Sequence, residues 1–144
     1  MNNKSYTVSI EVAETAQEVF ACLLQVPKWW SKDFEGKCEK LDDEFVIHHP
    51  GQHYSRQRLT EVVPGEKMVW TVVASELDWL EKDKQEWTNT NMVFEITAKG
   101  GKTRLYFTHE GLVPEKECYA RCRDGWHMVI TERLFEYVME GRAI

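Results

Sequence analysis

With 144 residues, 42% of them apolar and 29% charged, the chain has the composition of a soluble folded protein long enough to enclose a core. Eighteen Lys and Arg stand against 24 Asp and Glu, a formal net charge of −6, which excludes the positive field that duplex binding needs. No stretch approaches the roughly 18 apolar residues of a membrane span, and the opening MNNKSYTVSIEV lacks the apolar run of an export signal. Six Trp, five Tyr and six Phe are many for this length, and they imply a large core or an aromatic-lined cavity.

In chain order, Tyr6, Val8, Ile10 and Val12 alternate with polar residues, which predicts a first strand with one buried face. Thr15 and Glu18 form a capping-box pattern, and Ala16, Val19, Phe20 and Leu23 follow at helical spacing. The helix is expected to run to about Gln25, with Pro27 ending it and Trp29–Trp30 on a short turn. Strands are then expected over Glu44–His49, Tyr54–Val63 and Lys67–Ser75, separated by Pro50–Gly51 and Pro64–Gly65. A polar connection over Leu77–Thr88 carries Trp79 and Trp87. Asn89–Ala98 and Thr103–Glu110 read as a hairpin around Gly100–Gly101. Finally Trp126, Ile130, Leu134 and Val138 recur every four residues, a long amphipathic helix starting at Pro114 or Gly125 and ending at Gly141. The plan is α+β: a curved antiparallel sheet with helices on one side, in a single domain over residues 1–144.

Few residues carry recognisable chemistry. Cys118 and Cys122 lie four apart with His127 downstream, short of the four ligands of a structural zinc. With Cys22 and Cys38 they read as reduced thiols, and no metal or cofactor is expected. His48, His49 and His53 surround a turn, and the first two point to opposite strand faces, so they read as solvated. Arg56 and Arg58 share a face able to hold a carboxylate, though solvated positions are the simpler reading. The acidic runs Asp42–Glu44 and Glu81–Glu86 read as surface. His109 shares the parity of Leu105 and Phe107, so it is expected inside, as a packed, satisfied imidazole or as a group that orients a ligand. Met68, Trp70 and Val72, with Met92, Phe94 and Ile96, form stripes that meet Trp126 and Ile130. No phosphate-binding loop, nucleophile elbow or metalloprotease motif occurs.

Ala16–Phe20, the Trp29–Trp30 pair, LTEVVPGEKMVWT (Leu59–Thr71), TRLYFTHEGL (Thr103–Leu112), Gly125–Trp126 and LFEYVMEG (Leu134–Gly141) occur in a characteristic order. This ordered set resembles the AHSA-like domains, the activator of heat-shock-protein ATPase homologues, within the START-like or Bet v 1-like superfamily. The resemblance implies the helix-grip fold, a curved antiparallel sheet wrapped around a long C-terminal helix. It supplies no catalytic residues, and it implies a cavity between sheet and helix used for apolar molecules. The expected function is therefore binding of a small apolar or aromatic molecule by a cytoplasmic protein. The expected lining is Trp70, Phe94, Phe107, Trp126 and Ile130, with His109 as a polar end. One alternative is a module that docks on a chaperone or other protein partner, marked by exposed Trp29, Trp30 or Trp79. Another is a cyclase-like enzyme working in the cavity with His109 as its acid or base.

Overall fold

The computed structural model describes residues 4–144. Seven strands form one antiparallel sheet: β1 (Tyr6–Val12), β2 (Phe34–Gly36), β3 (Glu44–His49), β4 (His53–Val63), β5 (Lys67–Leu77), β6 (Asn91–Lys99) and β7 (Lys102–Glu110). Their spatial order is β1-β7-β6-β5-β4-β3-β2, so every strand after β2 lies beside its sequence neighbour while β1 closes on β7. The α+β helix-grip plan is what the chain adopts. β2 was not expected from the sequence, because three residues with one aromatic carry no period.

Helix α1 (Ala16–Leu23) starts on the predicted capping box: Glu18 N–H donates to Thr15 Oγ1 and Thr15 N–H donates to Glu18 Oε1. It stops two residues earlier than expected. Pro27 does not end it but sits in the first turn of a second short helix, α2 (Val26–Trp29), where its missing N–H costs nothing. Trp29 and Trp30 are thereby turned into the core, both buried.

The C-terminal helix spans 119–140 in three continuous parts: α3 (Tyr119–Met128), a π-helical segment (Val129–Leu134) and α4 (Phe135–Glu140). It starts at neither Pro114 nor Gly125. The reason lies outside the helix. The Glu86 carboxylate accepts the N–H groups of Glu117 and Cys118, supplying from another loop the cap that the helix lacks. Gly141, at φ +71°, ends it in the left-handed conformation that glycine adopts without penalty.

The π segment explains the unusual spacing of the apolar stripe. A step of four residues drifts about 40° per step around an α-helix, so Trp126, Ile130, Leu134 and Val138 would spiral off the sheet. The wider π turn takes up that drift. All four side chains are buried.

The inward parity of β4 and β5 is altered by irregularities at Arg56/Gln57 and Leu59/Glu61. Trp70 and Val72 face inward, and beyond the first irregularity so do Ser75 and Leu77. On β4 the buried residues are Ser55, Gln57 and Leu59, so two polar side chains occupy a core face. No helix among the described residues is long and apolar enough to cross a membrane.

Candidate functional site

The concave face of the sheet carries a continuous set of aromatic rings. Trp70 meets Phe45 and Phe94 at centroid distances of 4.9 and 4.7 Å, Phe94 meets Phe107 at 5.0 Å, and Phe107 meets Trp126 at 4.6 Å. Trp30 completes the circuit from the helical side, stacked 5.8 Å from Trp70 and tilted against Trp126 at 5.0 Å. These are contact distances for aromatic pairs. The rings expected to line a void therefore fill it: Trp70, Phe94, Phe107 and Ile130 are fully enclosed and pack on their neighbours. Rings of this size do hold the layers apart, but Trp29 and Trp30 enter the gap.

His109 is equally enclosed, and its position corrects its expected role as a polar end. Trp126 Nε1–H donates to Nδ1 at 3.0 Å, so a neutral imidazole carries its proton on Nε2, 2.8 Å from Thr90 Oγ1. The Thr90 hydroxyl in turn donates to the Trp87 carbonyl. Both ring nitrogens are used, leaving neither for a ligand. Burial, and secondarily the Lys116 charge, lowers the His109 pKa to about 3. It orients Trp126 and does not exchange protons near neutral pH. Gly111, two residues on, has φ +99° and passes so near Thr90 that an added Cβ would lie 2.7 Å from its methyl group. A glycine is needed there to keep the relay in place.

The open space lies at one end of this set, where α3 faces the connection between β5 and β6. A cleft of about 180 Å³ is lined by Trp30, His53, Trp79, Trp87, Trp126, Arg121, Cys122, Gly125, Met128 and Val129. Of the residues expected to form a site, only Trp126 reaches it. Trp87 is its inner wall, stacked 6.0 Å from Trp126. Trp79 forms the rim, with the Arg121 guanidinium 4.4 Å above its ring. The connection is held against α3 by Glu86 at the helix start and by Glu117, whose carboxylate accepts the N–H groups of Glu81 and Lys82. The acidic run read as surface thus includes a side chain that positions the site.

His53 is the polar group that sequence reasoning missed. Its Nε2 lies 2.7 Å from Ser55 Oγ, and its ring stands edge-on to Trp87 at 4.9 Å. Nδ1 has no hydrogen-bond partner among the described residues. Burial, aided by His49 and His48, lowers its pKa to about 4, so it is neutral at pH 7. His48 and His49 remain exposed, as expected of that turn. Arg56 and Arg58 both lie on the outer face and hold Glu44, Arg58 Nη2 at 2.7 Å from its Oε2, so the carboxylate they were suited to bind is internal.

Gly125 sits in mid-helix at the cleft. Glycine in a helix interior costs about 1 kcal/mol relative to alanine. Yet a Cβ built there meets no atom within 4 Å, so packing does not demand glycine. What it provides is room in the cleft.

The four cysteines are free thiols, Cys22 half-buried and the others buried. Of the three tryptophans that would mark a docking surface, Trp29 and Trp30 are buried and Trp79 lies beneath Arg121. The exposed large apolar residues Leu41, Tyr106 and Met139 lie respectively in the turn before β3, on β7 and on α4.

The family described as Activator of Hsp90 ATPase homolog 1-like protein matches residues 14–139. No curated protein matches the chain. Among solved structures it is similar to the Aha1 dimer of Colwellia psychrerythraea, with 16% identity over 96% of this chain and 98% of that one and a TM-score of 0.77. CalU16 of Micromonospora echinospora is similar at 12% identity over 94% and 76% of the two chains, TM-score 0.67. DynU16, from the dynemicin biosynthetic locus, is similar at 13% identity over 99% of this chain and 49% of that one, TM-score 0.70. At these identities the likeness is one of fold.

Proposed function

The chain belongs to the Activator of Hsp90 ATPase homolog 1-like family, and on that premise we propose that residues 1–144 act as one domain that binds a small planar aromatic molecule in the cleft beside α3. The observation that carries the reading is the set of four indoles, Trp30, Trp79, Trp87 and Trp126, gathered with His53 around an open space. Trp30, Trp87 and Trp126 are buried and still border the cleft, while half-buried Trp79 stands at its rim. At about 180 Å³ the cleft is smaller than the roughly 300 Å³ at which drug-sized sites begin, so the ligand has one or two rings. The unpartnered nitrogen of neutral His53 supplies one directional hydrogen bond, to a hydroxyl or carbonyl on the ligand. Trp126 is the wall residue, His109 fixes its orientation, and Trp70, Phe94, Phe107 and Ile130 form the packed backing that keeps the wall rigid. CalU16 and DynU16 share this fold, and DynU16 comes from the dynemicin biosynthetic locus.

The test uses 2-naphthol as a two-ring probe carrying one hydroxyl. Calorimetry and tryptophan fluorescence should show saturable 1:1 binding to the parent protein. Gly125→Phe fills the cleft from a position where an added Cβ meets no atom within 4 Å, and it should abolish binding without lowering the melting temperature. Equal binding by parent and Gly125→Phe would place the ligand elsewhere.

A further inference from the structure

We propose that the Cys122 thiol is a covalent attachment point in this cleft for planar aromatic α,β-unsaturated carbonyl compounds. The inference rests on the reading of the cleft as an aromatic site and names the chemical class that the site can retain.

Three observations support it. Cys122 lines the cleft and is 9% exposed, whereas Cys118, one turn earlier, is fully enclosed. Trp87 Nε1–H donates to Cys122 Sγ at 3.3 Å, so the indole that forms the inner wall also stabilises charge on the sulfur. His53 lines the same cleft, stands against the same indole, and keeps one nitrogen without a partner among the described residues, as a group receiving a carbonyl oxygen must. A flat ring placed between the tryptophan walls would thus have a nucleophile and a hydrogen-bonding group within the span of Trp87.

The surrounding charges agree with this arrangement. The neighbouring Cys118 thiol, then the Trp87 N–H and the Arg121 charge, hold the Cys122 pKa below the ordinary thiol value against burial and the Glu86 charge. The other thiols move the opposite way. Cys38 is pushed up to about 12 chiefly by burial, Cys118 is pushed up through its hydrogen bond to Cys122, and Cys22 is raised by burial and by Glu14 and Glu18. Of the four, Cys122 is the one that lines the cleft.

The step is a conjugate addition. Cys122 releases its proton, the sulfur lone pair forms a C–S bond to the β-carbon, and the C=C π pair shifts to leave an enolate. The enolate takes up one proton, which balances the one released. Nothing is oxidised or reduced, and no group leaves.

N-phenylmaleimide and N-ethylmaleimide share one electrophile and differ in the ring, so their rates on the intact protein isolate recognition from reactivity. Glutathione gives the reference ratio. We expect the first equivalent of N-phenylmaleimide to map to Cys122 by peptide mass analysis. The phenyl-to-ethyl rate ratio there should exceed that of glutathione by about tenfold or more. Cys122→Ser should lose this fast phase, and Gly125→Phe, which retains the thiol, should return the ratio to the glutathione value. First addition at Cys22 or Cys38, or a ratio equal to that of glutathione, overturns the proposal. Reversible 2-naphthol binding separates the two readings: binding without selective addition removes only the thiol proposal, and selective addition without binding removes only the reversible site.

Discussion

Two histidines flank Trp87, and they approach it in nearly the same way. His109 stands 5.0 Å from its ring at an interplanar angle of 84°, His53 4.9 Å away at 81°. Both are held neutral by burial. On the His109 side the protein completes both hydrogen bonds and fills the space with Phe107 and Trp126. On the His53 side it completes one bond and leaves a cleft. Residue type and ring partner are therefore poor guides to role, and the two rings differ in enclosure, His109 fully buried and His53 half-buried. The hydrogen bond that the protein leaves unmade is what distinguishes a structural imidazole from one available to a ligand.

The contrast is broken most severely through packing. Phe107→Ala should cost about 3–5 kcal/mol, because the hollow behind Trp126 cannot collapse against a rigid sheet. Trp79→Ala, at the rim of the cleft, should cost less than about 1 kcal/mol. Urea titrations of both variants check this, and equal losses would mean that the cleft side is packed as tightly as the other.

Acid acts on both histidines at once. Their folded-state pKa values, about 3 and about 4, lie below the unfolded value near 6.5. The unfolded chain therefore binds protons that the folded chain refuses, and stability present above pH 6.5 is lost as the pH falls. Each histidine contributes a slope of up to about 1.4 kcal/mol per pH unit, ending near pH 4 for His53 and near pH 3 for His109. Denaturant midpoints at pH 7.5, 6 and 5 should show this decline, and removing either histidine should reduce the slope by one proton. A flat profile would show that neither ring is held neutral.

Replacing one histidine at a time gives the sharpest comparison. At pH 7.5 His109→Phe leaves the Trp126 N–H buried without an acceptor, which should cost about 1–3 kcal/mol. His53→Ala should cost less, since water entering through the cleft can replace its bond to Ser55. The reverse order would exchange the roles assigned to the two rings.

Much of the fold was legible because its signals are local. Alternation marked β1 and β7, a capping box marked α1, and Gly141 marked the end of the last helix, all where the structure has them. The start of that helix was not legible, because its cap is Glu86, some thirty residues away. The backing of the site could be named from parity: Trp70, Phe94, Phe107 and Ile130 face inward. That the backing is closed could not, since Trp29 and Trp30 enter from a helix whose proline read as a terminator. His53 escaped for a related reason. Its inward neighbours Ser55 and Gln57 are polar, so the buried face of β4 does not look apolar in one dimension.

The ring of indoles has an optical consequence. Trp29, Trp70, Trp30, Trp126 and Trp87 form a chain in which each ring centroid lies about 6 Å or less from the next, at 6.1, 5.8, 5.0 and 6.0 Å. At such separations transition dipoles couple strongly, so light absorbed by any of the five is shared among them before it is emitted. The fluorescence of this protein is then a property of the array rather than of separate residues. Three of its members, Trp30, Trp126 and Trp87, border the cleft, beside a cysteine and an uncharged imidazole. A molecule that settles there acts as a trap for excitation collected throughout the core, and one occupied cleft can dim tryptophans that it never touches.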